Sequence, residues 1–171
     1  MIVAETERLI ITKFTVDDAP FFMDLINTPK FKKFIGDRKI NTIQKAQQRI
    51  KEGHLKNYAE LGYGFYKLLL KSENNIPIGT CGLTKREHLE LPDLGFAMLP
   101  EFEGKGFGLE SSKAILKLAT ETFKIKKIGA ITAPNNAASI KLIEKLGLTY
   151  EKKVKPFEDD QELMLFAKTL R

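Results

Sequence analysis

Three glycines at every second position, Gly104, Gly106 and Gly108, interrupt the run Leu99-Pro100-Glu101-Phe102-Glu103-Gly104-Lys105-Gly106-Phe107-Gly108-Leu109-Glu110. A strand-like run precedes them and a helix-like run follows. Glycine admits backbone conformations closed to other residues and lets a ligand approach closely. A glycine turn that opens a helix leaves several N–H groups pointing outward at the positive helix end. The chemistry such a loop suits is the binding of a diphosphate. Its spacing is not that of the two common nucleotide loops. A P-loop needs G-x-x-x-x-G-K-[ST], and a dinucleotide fingerprint needs G-x-G-x-x-G. This chain has G-x-G-x-G, past mid-chain rather than after a first strand.

The elements that must position this loop can be read from the pattern. Arg8 to Phe14 reads as a first strand. Asp17 and Asp18 can cap a helix carrying Phe21, Phe22, Leu25 and Ile26, with Pro20 tolerated in its first turn. Asn41, with Gln44 three residues on, can cap a second helix whose apolar positions are Ile43, Ala46 and Ile50. Tyr63 to Lys71 and Pro77 to Thr84 read as strands joined by a turn at Glu73-Asn74-Asn75. Leu94 to Leu99 is a fourth strand, stopped by Pro100. The loop then opens a helix from Leu109 to Phe123 with a core stripe of Ile115, Leu116, Ala119 and Phe123. Lys127 to Thr132 is a fifth strand. Ala137 to Leu146 is a helix with Ile140, Ile143 and Leu146 inward and Gly147 as its C-terminal cap. Leu163 to Ala167 is a last strand. Strands first in a run, then alternating with helices, give an α/β chain with a mixed sheet.

Composition narrows the function classes. The 171 residues suit one domain, 1–171, with a sizeable core. The single cysteine, Cys81, excludes an internal disulfide framework, and its apolar setting reads as core rather than nucleophile. His54, in a polar helical stretch, and His88, in a turn, read as incidental surface residues without metal-ligand spacing, so no metal is expected. No apolar run reaches membrane-spanning length and the first residues lack a signal peptide, which reads as cytoplasmic with no membrane partner. The net charge of +6 suits an anionic ligand. The clusters Lys124, Lys126, Lys127 and Lys152, Lys153, Lys155 lack interleaved aromatics and read as solvated faces rather than a nucleic-acid patch.

Glu103-Gly104-Lys105-Gly106-Phe107-Gly108 resembles motif A of the GNAT acetyltransferase superfamily, Q/R-x-x-G-x-G/A, with Glu103 where Gln or Arg is usual. The resemblance runs nearly end to end. Thr6-Glu7-Arg8-Leu9-Ile10-Ile11, followed by Thr15-Val16-Asp17-Asp18-Ala19, is similar to the start of the ribosomal-protein N-acetyltransferase-like (RimJ/RimL-like) branch. Ile35-Gly36-Asp37-Arg38, Ile78-Gly79-Thr80-Cys81-Gly82-Leu83 and Asp93-Leu94-Gly95-Phe96-Ala97-Met98-Leu99-Pro100 resemble further segments of it. Asn136-Ala137-Ala138-Ser139, running on to Glu144-Lys145-Leu146-Gly147-Leu148, resembles motif B.

The resemblance implies a GNAT fold: a single mixed central sheet, helices on both faces and a splayed fourth strand. It implies acetyl-CoA as cosubstrate and direct acetyl transfer to an amine, on a protein N-terminus or a small molecule. The cofactor residues it implies are Phe96, Ala97, Met98, Gly104, Lys105, Gly106, Phe107, Gly108, Leu109, Asn136, Ser139 and Lys145, with an oxyanion donor from the backbone around Ala97 and Met98. Many relatives protonate the leaving thiolate with a motif B tyrosine. Ile143 occupies that position, which leaves Ser139 as the candidate. Asp93 is the first candidate base, with Glu158, Asp159, Asp160 or a water chain as alternatives. Arg38 and Arg86 are candidates for an acceptor carboxylate or phosphate. The missing tyrosine also motivates a competing reading, a non-catalytic acyl-CoA sensor. A homodimer through an exposed sheet edge is compatible with the pattern but no residue argues for it.

Overall fold

The computed structural model describes residues 1–157, 159 and 161–170; Glu158 and Asp160 lie outside the described residues. Eight strands form one sheet: β1 (Ile2–Glu5), β2 (Leu9–Lys13), β3 (Phe65–Leu70), β4 (Ile76–Thr84), β5 (Asp93–Met98), β6 (Lys127–Thr132), β7 (Thr149–Val154) and β8 (Leu163–Thr169). Their order is β1-β2-β3-β4-β5-β6-β8-β7. The first five are antiparallel neighbours, β5 and β6 are parallel, and β8 lies antiparallel between β6 and β7. The helices are α1 (Ala19–Ile26), α2 (Pro29–Phe34), α3 (Ile43–Ile50), α4 (Lys56–Leu61), α5 (Phe107–Glu121) and α6 (Ala137–Lys145).

Neighbouring residues on β3 show how helices come to cover both faces. Successive strand side chains point to opposite faces. Tyr66 is buried and pairs in register with Cys81, whose Sγ lies 3.6 Å from Ser112 Oγ on α5. Lys67, pointing the other way, reaches Asp18 at the start of α1 at 2.5 Å. The larger core, including Leu9, Ile11, Leu68, Ile115 and Ile128, fills the α5 side. A second cluster of Phe14, Phe22, Ile26, Ala46 and Ile50 joins α1 to α3.

The structure corrects the expected elements in several places. Two strands went unseen: β1, and β7, where every residue but Val154 is exposed and no apolar alternation exists. The strand expected as the fourth is therefore β5. Helices α2 and α4 were also unseen; α2 is a six-residue helix capped by Thr28 with Pro29 in its first turn. The cap of α3 is Thr42, not Asn41. Asp18 does not cap α1 with its side chain; it accepts from the Thr15 N–H and pairs with Lys67. Phe123 falls beyond the end of α5 and packs on Tyr63. The turn after β3 forms as expected, with Asn74 and Asn75 both left-handed.

The feature that shapes the site is the junction of β5 and β6. Their only register pair is Asp93 with Gly129. Beyond it the strands separate, and the rest of β5 is held by β4 alone. Hydrogen bonds alternate sides along an antiparallel strand. Leu99 N–H donates to the Ile78 carbonyl, and Gly129 N–H donates to the Pro92 carbonyl. This phase turns Gly95 and Ala97 toward β4. It leaves the Phe96 and Met98 N–H groups facing the gap.

Candidate functional site

One cavity of about 820 Å³ follows this gap. At one end it is lined by Gly104, Phe107 and Gly108, along its middle by Phe96, Ala97, Met98, Asn136 and Ser139, and at the other end by Asp93, Arg38 and Arg86. Most of the residues proposed from sequence are thus brought to one space. Lys105, Gly106 and Leu109 belong to the loop and first helical turn without lining it. Lys145 is exposed in the last turn of α6, away from the cavity.

The loop is held open to a ligand by its own geometry. Gly104 and Gly106 have φ of +70° and +85°, a region that favours glycine. A Cβ on Gly108 would lie 2.7 Å from Leu142 Cδ1, so a larger residue there would displace the Leu142 side chain of α6. No side chain caps α5, and the first N–H to close a helical bond is that of Glu110, onto the Gly106 carbonyl at 3.0 Å. The N–H groups of Phe107, Gly108 and Leu109 therefore have no acceptor within the helix. An uncapped 15-residue helix opening on a cavity fits a diphosphate. Glu103 does not oppose this, because its carboxylate pairs with Lys30 of α2 at 2.5 Å.

Arg8, just before β2, braces the loop in a way the sequence did not reveal. Its guanidinium lies 4.2 Å from the centroid of the Phe107 ring. Nη1 donates to the Lys105 carbonyl at 3.0 Å, and Nε pairs with Glu110 Oε1 at 2.7 Å. Glu110 Oε2 also accepts from the Arg8 N–H and the Thr6 hydroxyl. Burial opposes ionisation of Glu110, but these donors outweigh it and hold the carboxyl below its ordinary value.

Asp93 is nearly inaccessible, with its side chain 1 % exposed. Arg86 Nε hydrogen-bonds Oδ2 at 3.3 Å; Oδ1 is 3.2 Å from the same nitrogen but out of line, and has no hydrogen-bond donor among the described residues. Burial pushes this carboxyl up to about 6, with Arg86 pulling the other way. Asn136 caps α6, accepting from the Ser139 N–H at 3.3 Å. Ile143 is buried and lines the same cavity.

Two lining residues were missed or misread. Arg49 of α3 lines the cavity. His54 is not an incidental surface residue: it packs 4.5 Å from Phe14 and 5.1 Å from Phe22, and burial, then Arg49, pushes its pKa down to about 4. Its signal was present, since His54 is four residues beyond the apolar Ile50 on the same helical stripe. Cys81 is core as expected, its thiol pushed up to about 11 by burial. Among the described residues no group of three or more His, Cys, Asp or Glu is placed to hold a metal, and no helix is long and apolar enough to cross a membrane.

Known proteins resemble this chain in sequence or in fold. The "Uncharacterized N-acetyltransferase p20" of Bacillus licheniformis is 24 % identical over 157 residues, 90 % of this chain and 85 % of that protein. The ribosomal-protein-S5-alanine acetyltransferase of Vibrio fischeri superposes with a TM-score of 0.82 at 18 % identity, covering 97 % of this chain and 95 % of the other. An aminoglycoside acetyltransferase solved in complex with coenzyme A gives 0.76 at 18 % identity, covering 94 % of each chain. The family described as "Acetyltransferase (GNAT) domain" matches residues 8–149. With the sheet, the splayed β5 and the glycine-opened α5 in place, the chain belongs to the GNAT acetyltransferase family.

Proposed function

We propose that this protein, acting as one domain, transfers the acetyl group of acetyl-CoA to a primary amine by direct attack in a ternary complex. The observation that carries the reading is the position of Asp93. Its Oδ1, which has an ion-pair contact with Arg86 but no hydrogen-bond donor among the described residues, lies where β5 leaves β6, on the same cavity as the uncapped start of α5. When bound, acetyl-CoA supplies a thioester carbonyl already activated toward an amine. Gly104, Lys105, Gly106, Phe107, Gly108 and Leu109 hold its diphosphate through backbone N–H groups, and Asn136 borders the path of its pantetheine arm.

Each remaining demand of the reaction falls to a named group. The amine must lose a proton as it attacks. Asp93, with a pKa near 6, is ionised at neutral pH and basic enough to accept it. Negative charge develops on the carbonyl oxygen, and the Phe96 and Met98 N–H groups freed by the splay are the backbone donors assigned to receive it. The sulfur leaves with the bonding electron pair. Ser139, a cavity-lining residue whose N–H is tied to Asn136, is the hydroxyl assigned to donate to it.

The test is amine-dependent release of CoA thiol from acetyl-CoA, with Gly106→Asp as the blank. Release that requires both substrates, with intersecting initial-velocity lines, supports the reading. Tight CoA binding with no release on protein N-terminal peptides or small amines supports the acyl-CoA sensor instead.

A further inference from the structure

The cavity that holds Asp93 and its partner Arg86 also holds two further charges to which the acetyl-transfer step described above gives no role. Arg38, between α2 and α3, Arg49 of α3, and Arg86, after β4, all line it. Asp93 neutralises Arg86. The Arg38 and Arg49 guanidinium groups have no hydrogen bond or ion pair to another described residue. Burial, then Arg49 and Arg86, holds the Arg38 guanidinium below its ordinary pKa. Arg38 and Arg49 are both exposed at the mouth of the cavity, so their mutual repulsion is modest but is not relieved by any described carboxylate. Their planar forks match a carboxylate or a phosphate.

A second observation points to the same end of the cavity. His54 Nδ1 is buried and has no hydrogen-bond partner among the described residues. The helix carrying it is wound as a π turn from Lys51 to Leu55, directly after α3. A π turn pairs residues five apart, which is the interval from Arg49 to His54, and such turns are common at functional sites. The uncharged ring, wedged against Phe14 and Phe22, can share a hydrogen bond with a polar ligand.

We infer that the amine acceptor carries an anionic group, a carboxylate or a phosphate, bound between Arg38 and Arg49 beside His54 Nδ1. The identification of that ligand as the acceptor rests on the acetyl-transfer reading above; the anion site itself does not.

The experiment therefore has a binding arm and a kinetic arm. In the first, CoA-saturated protein, with its diphosphate loop filled, is heated with and without inorganic phosphate. Phosphate should raise the wild-type melting midpoint and leave Arg38→Met and Arg49→Met unmoved; equal shifts in all three overturn the site. Without phosphate both variants should melt no lower than wild type, because repulsion is relieved; a clear drop would mean a structural role and overturn it too. In the second arm, glycine is paired with glycinamide, phosphoethanolamine with ethanolamine, and tetrapeptides bearing Asp at the second position with those bearing Asn. The charged member should have at least tenfold higher kcat/KM, and each variant should lower that value by roughly tenfold to a hundredfold while sparing the neutral member. Which pair responds identifies carboxylate, phosphate or acidic N-terminus as the source. Equal use of charged and neutral members overturns the inference. If phosphate stabilises only the wild type but no amine is acetylated, the anion site stands and the acetyl-transfer reading fails.

Discussion

Arg86 Nε sits 3.2 Å from Oδ1 and 3.3 Å from Oδ2 of Asp93, at the one residue pair where β5 still touches β6. The contact sets a balance. Burial favours the protonated carboxyl, Arg86 favours the carboxylate, and the outcome is a pKa of about 6. A carboxylate so placed is charged at neutral pH yet retains appetite for a proton, as the proposed base requires.

The pH dependence follows with a definite sign. Asp93 as the proposed base acts as the carboxylate, so kcat/KM should fall as pH drops through about 6. Asp93→Asn should lower kcat by roughly a hundredfold to ten-thousandfold and abolish this acidic limb. Any limb that survives in the variant belongs to the amine itself. Initial rates from acid to mildly alkaline pH check both statements.

Arg86→Gln removes the charge that opposes burial. The Asp93 pKa then rises, and the acidic limb should move up by about one pH unit or more. Activity at neutral pH should fall while activity at higher pH recovers toward wild type. A limb that stays in place would dissociate Arg86 from the base.

Gly106→Asp should eliminate acetyl-CoA binding, measured by calorimetry. Aspartate is strained at φ +85°, its Cβ would lie 3.2 Å from Arg8 Nη2, and its carboxylate would stand beside the diphosphate. The fold should survive, because the loop is at the surface.

Arg8→Ala should raise the KM for acetyl-CoA by about tenfold with kcat little changed, since Arg8 braces the loop and touches no reacting atom. Stability should fall by about 1 kcal/mol, a modest figure because the Arg8 side chain is 40 % exposed. Glu110→Gln gives the linked pH effect. The folded-state pKa of Glu110 is depressed, so its contribution is fully present above the ordinary value of 4.5 and fades as pH falls below it. Urea midpoints of wild type and variant at neutral and acid pH would show the difference closing.

The cofactor end of the site was legible in the sequence because its function lies in backbone geometry. Alternating glycines before an apolar helical stripe announce themselves, and the structure places Gly104, Gly106 and Gly108 at the start of α5. Strands with one buried face were legible for the same reason, whereas β7 was not, because five of its six residues are exposed and carry no apolar rhythm. Asp93, Arg38 and Arg86 were also named from the sequence and line the cavity, but the long-range partners that hold the site together were hidden. Arg8 and Glu110 are 102 residues apart, and no local pattern records their pairing. His54 looks solvated until packing against Phe14 and Phe22 covers its ring, and Arg49, itself exposed, meets the cavity only through the placement of α3. Long-range charge placement is set by tertiary structure, and periodicity does not encode it.

The central claim is that this chain moves an acetyl group directly from acetyl-CoA to an amine. Mass spectrometry of the wild-type protein with acetyl-CoA and an amine panel spanning peptides and small charged amines tests it most directly. The account predicts acetylated amine and free CoA in equal amounts, none with Gly106→Asp, and no acetyl group left on the protein. Bound CoA with no acetylated amine, or an acetyl group retained on the protein, would contradict it.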